Sequence, residues 1–148
     1  MATLTVSITE EVYLNGSNRG STNTSAITGV TDVMHRIVEV TSAAIGYTEL
    51  ISFDTIPGGS VFAPDNLRYL RVTNVDQSSS PTSLFLKVQT ANNENVVVLD
   101  ANESYVLFND NIYAGTGIDQ AYTLADIKTV KAGASGSACP TEIFVASV

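Results

Sequence analysis

Four runs decide the fold: LRYLRVT (67–73), LFLKVQT (84–90), VVVL (96–99) and SYVLF (104–108). They are rich in Val, Leu, Tyr and Phe, and polar turn segments separate them: NVD and QSSSP, then NNEN, then DANE. β-branched and aromatic side chains suit a pleated, half-buried surface. Turn signals every 8–12 residues are the signature of a sandwich or barrel. With each run following the last at hairpin distance, the four read as a meander.

The same pattern extends towards both ends. Leu4, Val6 and Ile8 alternate with Thr3, Thr5 and Ser7, the period of a half-buried strand. Residues 12–14 continue that strand after a corner at Glu10 and Glu11. Asn15-Gly16 accepts positive φ at low cost and starts a turn. The polar stretch 15–25 is long for a hairpin connection and reads as an exposed contact loop. Residues 34–41 form a strand rather than a short helix, given the β-branched Ile37, Val38 and Val40. A further strand at 47–53 stops before Pro57-Gly58-Gly59. Beyond Phe108 the pattern breaks: 109–117 is irregular, and 119–125 allows one helical turn. Strands at 127–130 and 143–145 close the chain around a small-residue loop, 131–139. The expectation is therefore a single all-β domain over 1–148, a jelly-roll-like β-sandwich with at most one short helical turn. Alternation fixes faces and not strand order, so a jelly-roll and an immunoglobulin-like order both fit.

A chain of 148 residues can bury a self-sufficient core. Charged residues make up only 15%, against the usual quarter, so Ser, Thr and Asn do much of the solvating. A net charge of −8 disfavours nucleic acid and anionic membrane as partners, which clustered Lys and Arg would attract. Arg68 and Arg71 lie in a strand pattern and are expected to pair with carboxylates. The N-terminus lacks the charged and apolar regions of a signal peptide, and no apolar run approaches the ~18 residues of a membrane span. Those features lead us to expect a soluble protein made in a cytoplasm.

The motifs of catalysis do not assemble. No Gly-x-Ser-x-Gly elbow seats a nucleophilic serine, and His35 is the sole histidine. Cys139, also alone, has no internal disulfide partner and is expected to pack as a small hydrophobe. Residues 100–103 and 109–111 cluster side-chain oxygens without the EF-hand spacing, and Asx turns account for both. Gly115-Thr116-Gly117 lacks the third glycine of a dinucleotide fingerprint. These observations argue against an enzyme and lead us to expect no metal and no cofactor. Of the six tyrosines, Tyr113 and Tyr122 fall in the irregular segment and are the best candidates for a binding surface.

Taken over nearly its full length, the chain resembles the small all-β virion proteins of tailed bacteriophages. The resemblance rests on Leu4-Thr5-Val6-Ser7-Ile8, on the Tyr69-Leu70-Arg71-Val72-Thr73-Asn74 strand with its Asn-x-Asp end, and on Glu142-Ile143-Phe144-Val145-Ala146. It implies a capsid decoration (cement) protein at the virion surface that bridges subunits of the major capsid protein, with a homotrimer as the expected oligomer. A tail-fibre or collar component is the alternative within the virion; a carbohydrate-binding β-sandwich is the alternative outside it. Exposure and polarity pick out the contact segments 3–8 and 15–25 and the C-terminal strand. The candidate contact residues are Thr3, Thr5, Ser7, Asn15, Asn18, Arg19, Tyr113 and Tyr122.

Overall fold

The computed structural model describes residues 2–53, 62–63, 66–108, 113–116 and 123–148, with the backbone alone over 113–116 and 123–125. Every regular element among them is a strand. In chain order these are β1 (Ala2–Thr9), β2 (Tyr13–Leu14), β3 (Ser17–Asn18), β4 (Thr22–Val30), β5 (Asp32–Val40), β6 (Thr48–Ser52) and β7 (Leu67–Asn74), followed by β8 (Leu84–Gln89), β9 (Glu94–Leu99), β10 (Ser104–Phe108), β11 (Tyr113–Thr116), β12 (Thr123–Asp126), β13 (Thr129–Ala134) and β14 (Cys139–Ser147).

Eight strands make two four-stranded sheets, in the orders β10-β7-β14-β5 and β6-β13-β8-β9. All neighbours are antiparallel. The order follows from folding one long hairpin on itself. β5 pairs with β14, β6 with β13, β7 with β10 and β8 with β9. Wrapping that ribbon into two layers then brings β14 against β7 and β13 against β8. This is the jelly-roll arrangement of a β-sandwich.

Alternation along each strand supplies the core. Leu70 and Val72 of β7, with Ile143 and Val145 of β14, face Leu84 and Leu86 of β8 and Val130 of β13, all fully buried. Burying a side chain of this size contributes roughly 1.5–3 kcal/mol, so the two inner faces are the main source of stability. Phe53, Leu67 and Ile127 add buried bulk from outside the strand centres. Cys139 belongs to the same core, and burial pushes its thiol pKa up.

A polar knot closes one end of the sandwich. Asn74 Nδ2 donates to the carbonyls of Thr82 (2.8 Å) and Leu99 (3.0 Å), while its Oδ1 accepts from the Asp76 amide (3.0 Å) and the Cys139 thiol (3.2 Å). Asp76 in turn accepts the backbone N–H groups of Ser78 (2.9 Å) and Thr82 (2.8 Å), which hold its carboxyl below the usual aspartate range. The Asn-x-Asp turn thus ties the β7–β8 connection to β9 and β14.

Several expectations are corrected. The four runs from 67 to 108 are strands β7 to β10, but not a meander. β7 and β8 sit in opposite sheets, as do β9 and β10, because equally apolar inner faces satisfy either partner. The segment 131–134 is not loop but the last four residues of β13, whose Ala132 and Ala134 are small core residues. The closing strand is longer than 143–145 and includes Cys139. In place of a helical turn, 123–126 forms β12 paired with β11; residues 117–122 lie outside the described residues, as does Pro57-Gly58-Gly59.

Candidate assembly surface

Residues 2–30 form one continuous hairpin that precedes the sandwich. β1 pairs with β4 from Thr3↔Thr28 to Thr9↔Thr22, and β2 pairs with β3 at Tyr13↔Asn18 and Leu14↔Ser17. Between these ladders the Glu10 amide donates to the Ser21 carbonyl (2.8 Å) and the Arg19 amide to the Val12 carbonyl (2.7 Å). The register therefore runs unbroken to the turn. Asn15 (φ 52°) and Gly16 (φ 77°) both take positive φ, the two-residue turn whose twist matches that of its strands. From base to tip the ribbon spans on the order of 40 Å at the rise of a strand. This corrects the expected loop at 15–25: after the turn, 17–25 belongs to the return strand, and its Thr residues keep it extended.

The two faces of this arm differ. Thr3, Thr5, Ser7 and Thr9 share one face with Thr22, Thr24 and Thr28, and hydroxyls meet across the ribbon at Ser7–Thr24 (3.1 Å) and Thr9–Thr22 (3.2 Å). The other face carries Leu4, Val6, Ile8, Glu10, Val12 and Leu14, an apolar stripe interrupted by one carboxylate. At its base the stripe is covered. Val6 and Ile27 are buried with Tyr69 and Ala146, and Leu4, Val106, Phe108 and Phe144 pack around them. Tyr69 and Phe144 meet edge to face at 5.6 Å. The arm base thus lies on the outer face of the β10-β7-β14-β5 sheet. A cleft of about 270 Å³ remains between them, lined by Leu4, Ser7, Tyr69, Arg71 and Phe144 among others. Gly29 (φ 76°) sits where the register shifts by one residue, a bulge at the base of the ribbon.

Towards the tip the same stripe has no cover. Every residue from 7 to 26 is exposed apart from the partly buried Gly20. Ile8 is 41% exposed, Val12 54% and Leu14 57%, with Tyr13 at 73% on the opposite face. A second uncovered apolar row runs along β5, an edge strand of its sheet. Val33 and Ile37 are 55% and 67% exposed on its outer side, with His35 between them and Glu39 beyond. His35 Nε2 lies 2.6 Å from Glu142 Oε1, and Arg71 donates to Glu142 Oε2 at 2.8 Å. Arg71, then His35, holds the Glu142 carboxyl below its ordinary pKa. The Arg71 pairing answers the sequence expectation; Arg68 donates to the Leu67 carbonyl.

Six of the eight candidate contact residues come together on the arm. Thr3, Thr5 and Ser7 line its hydroxyl face, Asn15 opens the turn, and Arg19 follows Asn18, whose Oδ1 accepts the Gly20 amide (2.8 Å). Tyr113 has its backbone in β11 with its side chain outside the described residues, and Tyr122 lies outside them altogether. The C-terminal strand is a correction: β14 is central, paired on both edges by β7 and β5, and offers no backbone to a partner. Sequence reasoning included Ile8 in a contact segment but missed Val12, Leu14, Val33 and Ile37. The signal was there in the return strand, whose residues from Ser17 to Ser25 include none that could seal a core against the first strand. Among the described residues, no three of His, Cys, Asp and Glu converge as a metal ion would need.

Comparison with protein-family models, with curated proteins and with solved structures finds no match. Fold and surface together define a class of their own accord: a jelly-roll sandwich carrying an exposed two-stranded arm with one apolar face.

Proposed function

We propose that this protein is a virion structural component, a capsid decoration (cement) protein that acts by contact rather than by catalysis. The observation that carries the reading is the arm. An isolated two-stranded ribbon is marginal in water, and this one holds Ile8, Val12 and Leu14 exposed along a single face. Such a ribbon gains most when it lies on a neighbour. The body supports the same reading, because the jelly roll recurs in capsid and lectin domains and four-stranded sheets give a rigid base for repeated contacts. Its partners would be the major capsid protein and further copies of itself, expected as a trimer, with no cofactor involved. It would be made in the host cytoplasm and reside on the capsid surface.

The test is to purify particles and measure copy number by quantitative mass spectrometry, then add the full chain to undecorated shells. Hundreds of copies per particle, saturable binding and a higher disruption temperature of the shell are the expected results. A few copies would move the protein to the tail fibre or collar. Absence from particles combined with glycan-array binding would favour the carbohydrate-binding alternative and sink the virion reading.

A further inference from the structure

We infer that the uncovered half of the arm packs on the outer face of β5 in a second copy of this chain. The first ground is continuity. The stripe that is buried at Val6 and partly buried at Leu4 against the outer face of one sheet runs on, in unbroken register, to Ile8, Val12 and Leu14. Its base shows what covers such a stripe: the outer face of the β10-β7-β14-β5 sheet. The part of that same face left bare is β5, with Val33 and Ile37.

The second ground is charge complementarity at matched spacing. The arm reads Ile8, Glu10, Val12 at every second residue, and β5 reads Val33, His35, Ile37 at the same two-residue step. Apolar thus meets apolar at both ends, with a carboxylate opposite an imidazole in the middle. In its protonated form His35 has two N–H donors, so with Nε2 on Glu142 its Nδ1–H can serve a second carboxylate. Each copy offers one arm and one face, so the contact can repeat from copy to copy and close into a ring. The contact belongs to the isolated chain and does not depend on the virion reading.

Sedimentation velocity of the full chain, over a concentration series from nanomolar to high micromolar, tests it. The wild type should associate. Val12→Asp and Ile37→Asp should each give monomers that melt as the wild type does at concentrations where it too is monomeric, since both positions are exposed in the single chain. An equimolar mixture of the two variants should form dimers and nothing larger, because one sound arm meets one sound face. Independently, a Glu10→Cys, His35→Cys double variant should give disulfide-linked oligomers under mild oxidation, with buried Cys139 out of reach. A wild type that stays monomeric throughout, or oligomers indifferent to both aspartates, would overturn the inference. So would a double-cysteine variant that oxidises without linking chains, and that result decides even if an aspartate variant fails to fold.

Discussion

The sandwich and the arm obey the same alternation and end differently. Along β7 and β14 alternate side chains such as Leu70, Val72, Ile143 and Val145 are sealed between two sheets, whereas along β1 and β2 the stripe is sealed only at Val6, with Leu4 partly covered. The difference lies in the partner, not in the strand. β7 faces a second apolar layer, while the arm's return strand contributes Asn23, Ser21 and Arg19 beside its apolar row. A ribbon with one apolar face is half of an interface. In the sandwich the chain supplies the other half itself; at the arm tip it does not.

The largest test of this contrast is Leu70→Ala. Leu70 is fully buried, so the substitution should cost about 3–4 kcal/mol in chemical denaturation, while Val12→Ala at the tip, at concentrations where the chain is monomeric, should stay within about 0.5 kcal/mol. Equal costs would make the arm part of the cooperative core. Next is Asn74→Ala, which leaves the Thr82 and Leu99 carbonyls, the Asp76 amide and the Cys139 thiol without their partner. A loss of about 2–3 kcal/mol is expected, seen as a lower denaturant midpoint at unchanged slope.

Acid should act on the knot before it acts on the arm. The folded Asp76 carboxyl sits below its ordinary value of 3.8 because Ser78 and Thr82 amides bond the charged form. Its stabilisation is therefore complete above the unfolded value and is lost as pH falls through the folded one. A melting series below about pH 4 should show a steeper loss in the wild type than in Asp76→Asn. If the two slopes coincide, the knot does not carry the acid sensitivity. The smallest expected effect on global stability belongs to the turn. Placing Ala at both Asn15 and Gly16 puts Cβ groups where φ is positive, at a cost of about 1–2 kcal/mol per residue. That cost falls on local opening of the tip. In a monomeric background, amide exchange between Val12 and Arg19 should quicken while the global melting temperature holds. A matching drop in global stability would join arm and sandwich into one unit.

Much of the fold was legible because alternation is a local property. Leu84-Phe85-Leu86-Lys87-Val88 could only be a strand with one buried face. The solvent-facing side of β1 was legible too, since Thr3, Thr5 and Ser7 opposite an apolar row signal a face turned to solvent. The return strand was harder. Thr22, Asn23, Thr24 and Ser25 carry no apolar alternation, and only their pairing with residues of β1 holds them extended. Pairing of this kind joins positions far apart in the chain and leaves no mark on the composition of either one.

By itself the sequence determined that 67–73, 84–89, 96–99 and 104–108 run as strands, and where the Asn15-Gly16 turn falls. These follow from side-chain spacing and from backbone sterics, which act between neighbours. Only the tertiary structure decided that β5 closes against β14, that β7 and β8 part to opposite sheets, and that an apolar stripe covered at Val6 emerges bare at Val12. Those outcomes depend on which faces meet. An apolar face gains by meeting any other of its kind, so the choice among partners is made by the whole wrapped ribbon and by no single segment of it.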